Sequence, residues 1–200
     1  IMIRKGRGHS QYVLFGIMAV TLGAGDAFHL VPRAIALCTT GLENYTFALG
    51  IGKFITSITM TIFYVLLYYV WRQRYHVSGK QGVTITVYLL AALRIALCLF
   101  PQNGWTSANA PLSWSIYRNI PFALLGILII VLYQSTKQHQ DAAFRFMSLT
   151  IILSFGFYIP VVLWADTIPM IGMLMIPKTC AYVWTVWIGY SAMRQELQIK

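Results

Sequence analysis

Two hundred residues that are 58% hydrophobic and only 10% charged, with a mean hydropathy of +0.67, exclude a soluble globular domain, in which about a quarter of residues carry charge. The formal net charge of +10 would suggest nucleic acid in a soluble chain. Here most basic residues flank apolar runs, where they set membrane orientation, so lipids and not nucleic acid are the expected surroundings.

The expected class is all-α, a polytopic transmembrane helical bundle forming one domain over 1–200, because apolar stretches of about 20 residues recur between short polar breaks. Arg4, Lys5 and Arg7 precede the first run, which is too long for a signal-peptide core and lacks an A-x-A exit. It reads as a retained span over 12–31. Asp26, His29 and Arg33 stand at i, i+3 and i+7, one face if the helix survives Pro32. The span is expected to end there, with 34–38 an interfacial turn or re-entrant piece, or a seventh element if it is separate.

The second span, 45–71, carries a polar stripe of Gly50, Lys53, Ser57, Thr61 and Tyr64. The pairs Gly23-x-Gly25 and Gly50-x-Gly52 would allow close backbone approach. The third span, 83–100, holds Arg94 two turns from its end, and the fourth, 113–133, has Arg118 near its start. The fifth, 146–164, aligns Ser154 and Tyr158 with Asp166 beyond it. The sixth, 168–193, places Lys178 deep in an apolar stretch above Tyr182 and Thr185. A buried cation needs a partner, and Asp26 is the only intramembrane carboxylate within the spans, so Asp26 rather than Asp141 is expected to neutralise it.

With both termini cytoplasmic, ten of the fifteen basic residues fall in inner segments, as the positive-inside rule asks. A bacterial-type plasma membrane is the expected location. Arg33, Lys53, Arg94, Arg118 and Lys178 remain, and each sits at a span end or inside a span. All seven prolines map to the outer half or outer loops, where Pro160 and Pro177 would free carbonyls inside spans. Trp71, Trp105, Trp114 and Trp187 read as interfacial anchors. Cys38, Cys98 and Cys180 lack any CxxC or Cys/His spacing, so they read as buried free thiols, and neither metal nor cofactor is expected.

Intramembrane charge, proline and polar stripes thus converge on the outer half, implying a wet recess that opens outward. Its basic residues outnumber Asp26 and Asp166, so the natural ligand is an anion: a phosphate or carboxylate, as a small molecule or a lipid headgroup, bound in receptor or transporter fashion. Candidate ligand-binding residues are Asp26, His29, Lys53, Arg94, Arg118, Tyr158 and Lys178. Lys53 and Arg94 could instead snorkel to outer headgroups. An alternative is a membrane-embedded lipid hydrolase or transferase in which Asp26 orients His29 as general base, with the cations stabilising developing negative charge. D-x-x-H is a common pattern, however, and no G-x-S-x-G, P-loop or H-E-x-x-H accompanies it. A structural or regulatory subunit is the third reading, in which the charges satisfy one another and leave no pocket. Oligomeric state is not encoded in any motif.

Overall fold

The computed structural model describes residues 2–6, 9–39, 41–107, 110–136, 141–165 and 167–197, with the side chains of all but 4, 5, 42, 43 and 169. Arg7 and Asp166, named above, and Lys137 and Lys200, which belong to the ten inner basic residues, lie outside the described residues. A short helix α1 (Met2–Lys5) is followed by α2 (Ser10–Cys38), α3 (Thr46–Arg74), α4 (Gln81–Leu99), α5 (Leu112–Ser135), α6 (Met147–Trp164) and α7 (Met175–Glu196). Six of these helices are long and apolar enough to cross a membrane, the last counted from Met170.

Successive helices pack against one another, and α7 returns to α2, so the six close into a bundle. Helix α3 is the most buried of them, since it also touches α5. Small residues bring the backbones together. A Cβ added at Gly189 would lie 2.4 Å from the Phe15 ring, where α2 meets α7, and one at Gly126 would lie 2.0 Å from Phe155, where α5 meets α6.

Both chain ends share one end of the bundle, here the terminal end. There Arg74, at the close of α3, pairs with Asp141 before α6 and with Glu196 at the close of α7. Glu196 also accepts a hydrogen bond from Tyr12 near the start of α2. Below this polar lid lies a dense core in which Tyr12, Phe15, Met18, Tyr68, Trp71 and Met147 are almost wholly buried.

Several local expectations are corrected. Helix α2 does not stop at Pro32 but continues to Cys38, so no separate seventh element forms there. Proline removes the donor that would have served the Phe28 carbonyl four residues earlier. That carbonyl lies against Gly52 on α3, where a Cβ would come within 2.3 Å, so the close approach of the two helices there requires glycine. Pro177 breaks nothing, because α7 begins at Met175 after a 3-10 turn over Pro169–Leu174. A first-turn residue has no intrahelical acceptor to lose. Trp71 is no interfacial anchor: it is 1% exposed, and its indole donates to the Leu132 carbonyl at 3.1 Å. Of the three thiols only Cys98 is buried; Cys38 and Cys180 face outward from α2 and α7.

Candidate functional site

At the end opposite the termini, all six long helices and the α4–α5 loop bound a cavity of about 270 Å³. The floor is aromatic. Tyr64, Phe122 and Phe155 pack with ring centroids 5.1–5.5 Å apart, and Tyr182 stacks edge-on to Phe63 at 5.3 Å. Of these rings Phe122 lines the cavity, and the others pack behind it.

Two cations stand deep in the cavity. Arg94 on α4 is 1% exposed; its guanidinium lies 3.6 Å from the Phe122 ring centroid, and Nη1 donates to Asn119 Oδ1 at 3.1 Å. Its Nε is buried with no hydrogen-bond partner among the described residues. Lys178, in the first turn of α7, is 3% exposed. Its ammonium sits over the rings of Tyr158 and Tyr182, at 4.5 and 5.4 Å. The Tyr158 hydroxyl donates to the same Asn119 Oδ1 at 2.9 Å, and the Asn119 amide is itself oriented by donation to the Ser115 carbonyl. One neutral amide therefore ties Arg94 to the tyrosine beneath Lys178. His29, 6% exposed, adds an Nδ1 that is buried without a partner among the described residues.

The rim is built from the α4–α5 loop. Asn103 donates to the Leu97 and Phe100 carbonyls, closing the C-terminus of α4, and its Oδ1 accepts from Arg118 at 2.9 Å. Arg118 also donates to Ser115 Oγ and lies 4.2 Å from the Trp105 ring centroid. Trp105 is held by an indole bond to the Cys98 carbonyl. Its own carbonyl presses on Gly50, where a Cβ would come within 1.8 Å. It is thus a cavity wall rather than a lipid anchor. Lys53 and Arg33 complete the cationic rim, and an Arg33 Nη2 lies over Gly172.

Of the candidates read from sequence, His29, Lys53, Arg94, Arg118, Tyr158 and Lys178 all line this cavity. Asp26 does not: half-buried and one turn from His29 on α2, it acts on Lys178 only as a nearby charge. Among the described residues no ion pair joins the two, and the only pairs are those of Arg74. Nor does a hydrogen bond join Asp26 to His29 among those residues, His29 Nδ1 being unpartnered. Asn119 and Trp105 were not singled out for this role from sequence. An amide inside a span carries the same signal as a charge, so Asn119 was readable; the role of Trp105 depends on a tertiary contact with Gly50.

The cavity wall therefore presents five Lys or Arg side chains and, among its described residues, no carboxylate. A second cleft at the terminal end, near His9, Gln73 and His76, has the opposite character, because there Arg74 is met by Asp141 and Glu196. No group of three His, Cys, Asp or Glu among the described residues is placed to hold a metal. No protein-family profile matches the chain, and no curated protein or solved structure is significantly similar to it.

Proposed function

We propose that the chain crosses a membrane six times with both termini cytoplasmic, and that its outward-opening cavity binds an anionic small molecule or lipid headgroup. The observation that carries this reading is the charge of the cavity wall: Arg33, Lys53, Arg94, Arg118 and Lys178 face one space with no carboxylate among the described lining residues. Buried cations such as Arg94 and Lys178 are costly unless something compensates them, and a bound anion would supply that compensation. The aromatic floor favours a binding protein over an open pore, with transport requiring the Tyr64–Phe122–Phe155 rings to move apart. Against the hydrolase reading stands the absence, among the described residues, of a hydrogen bond between Asp26 and His29 that would orient it as a base. Against a purely structural subunit stands the cavity itself.

The test uses Ser57, which lines the cavity from the exposed-to-core flank of α3, changed to Cys after the three native thiols are replaced by Ala. In sealed vesicles the new thiol should react with a small impermeant reagent from outside only, and more slowly when an anionic amphiphile is present. A zwitterionic amphiphile of the same chain length should give no protection. Protection by neither, or reaction only from the cytoplasmic side, would overturn the proposal.

A further inference from the structure

The deep part of the cavity is more particular than its net charge. Arg94 and Lys178 are both almost fully buried and near enough for Arg94 to repel Lys178 electrostatically. Their protein partners are all neutral: the Asn119 amide for Arg94, and the faces of Phe122, Tyr158 and Tyr182. Such dipoles and quadrupoles orient a cation without cancelling its charge. Asp26 offsets part of it from a distance, and no carboxylate stands among the described lining residues. A single negative charge would match only one of the two deep cations.

Donor geometry narrows the choice further. Three helices contribute: Arg94 on α4, His29 on α2 and Lys178 on α7 all line the cavity, and Arg94 Nε and His29 Nδ1 have no hydrogen-bond partner among the described residues. Helix α4 packs on α3 and α5, whereas α2 and α7 are neighbours of each other, so Arg94 reaches the cavity from a different side than His29 and Lys178. A planar carboxylate offers two oxygens in one plane, and a phosphodiester offers two free oxygens and one charge. A terminal phosphate offers three equivalent oxygens in a tripod and close to two charges near neutral pH. Beside this seat, Val161, Val162, Ala165 and Met175 supply an apolar wall. The volume of about 270 Å³ lies just below the usual range of ligand sites, about 300–1,000 Å³, which suits a headgroup-sized ligand.

On these grounds we infer that Arg94, Lys178 and His29 form a seat for a phosphate monoester dianion, with the apolar wall on α6 and Met175 receiving its organic substituent. The inference rests on the anion-binding reading and narrows it. The monoester could be the headgroup of a lipid or a soluble phosphate ester, and the seat is the same for both.

The test measures dissociation constants of the full chain in a neutral detergent at pH 8. Four probes are used: phosphatidic acid, phosphatidylglycerol with identical acyl chains, glycerol 3-phosphate and glycerophosphoglycerol. Each monoester should bind at least about tenfold more tightly than its diester counterpart. Lys178→Met should reduce that ratio to about threefold or less, while Arg33→Met at the rim leaves it in place. Arg94→Gln serves as the second deep variant, and its ratio should fall likewise; thermal melting in the absence of ligand checks that each variant is folded. Tight binding of phosphatidic acid alone identifies a lipid source, and comparable binding of glycerol 3-phosphate identifies a soluble one. Diesters binding as well as monoesters would overturn the dianion seat and leave the anion reading standing. Binding of none of the four would overturn both.

Discussion

Removing Asp141 should destabilise this protein more than removing Asp26, the reverse of what counting intramembrane charges suggests. Asp141 is held by Arg74 through two hydrogen bonds, Nε to Oδ2 at 2.8 Å and Nη2 to Oδ1 at 3.1 Å, with the Ala143 amide donating to Oδ1. The two side chains are only 15% and 13% exposed. That places the pair between an exposed salt bridge, worth about 0–1 kcal/mol, and a charged hydrogen bond shielded from water, worth about 1.5–3 kcal/mol. Asp141→Asn keeps one acceptor and loses the charge, so a loss of about 1–3 kcal/mol is expected, or roughly 2–12 °C in melting temperature for a chain of this size. Asp26→Asn breaks no ion pair with a described residue and should cost less. The pair also sets an acid limit. Burial works to raise the Asp141 carboxyl, but the hydrogen bonds and charge of Arg74, together with backbone amides, more than offset it and hold the carboxyl below the ordinary aspartate range. A depressed folded value contributes stability above the unfolded value of about 3.9, and that contribution is lost as pH falls through the lower folded value. Melting curves in one detergent at pH 7 and at pH 3 check both points: the gap between wild type and Asp141→Asn should be present at pH 7 and shrink in acid. Equal melting temperatures of Asp141→Asn and Asp26→Asn at pH 7 would refute the reasoning.

Other outcomes follow from the same geometry. Asn119→Asp should raise thermal stability, by giving Arg94 a carboxylate where it now has an amide, and should weaken anion binding; a variant that binds anions as well as wild type would remove Asn119 from the site. Gly50→Ala should cost more than the usual 1–3 kcal/mol or so of overpacking, since its Cβ would meet the Trp105 carbonyl at 1.8 Å, whereas Gly23→Ala meets nothing within 4 Å and should be neutral or stabilising by up to about 1 kcal/mol. Thermal melts of the two compare them directly. A thiol placed at Ser78 should be labelled only from the cytoplasmic side and one at Ser107 only from outside; labelling of both from one side would overturn the six-crossing topology.

Much of the architecture was written in the apolar runs, because six stretches of membrane length leave little choice of secondary structure. The cavity wall was legible for a similar reason. Charges such as Arg94 and Lys178 inside apolar runs are expensive, so their appearance on several spans at one level pointed to a common space. What failed to show in the sequence depended on partners far along the chain. Nothing near Pro32 announces that the carbonyl it frees will meet Gly52, so the local rule ended α2 too early. Trp71 sits at a span end like an anchor, but only the packing of α3 against α5 turns its indole inward to Leu132. Charge counting matched Asp26 with Lys178, and the two do attract one another, but a count carries no distance and no ion pair among the described residues joins them. The structure instead gives Lys178 two aromatic faces.

The central claim is that the positive charge lining the cavity holds an anion, and the most direct measurement is the salt dependence of phosphatidic acid binding to the full chain in neutral detergent. Raising salt from 0.1 M to 1 M shortens the screening length from about 10 Å to about 3 Å, so charge-assisted binding should weaken several-fold at least. Lys178→Met should bind more weakly than Arg33→Met at the lower salt and respond less to the increase than wild type. Binding that is indifferent to salt and unchanged in Lys178→Met would contradict the account.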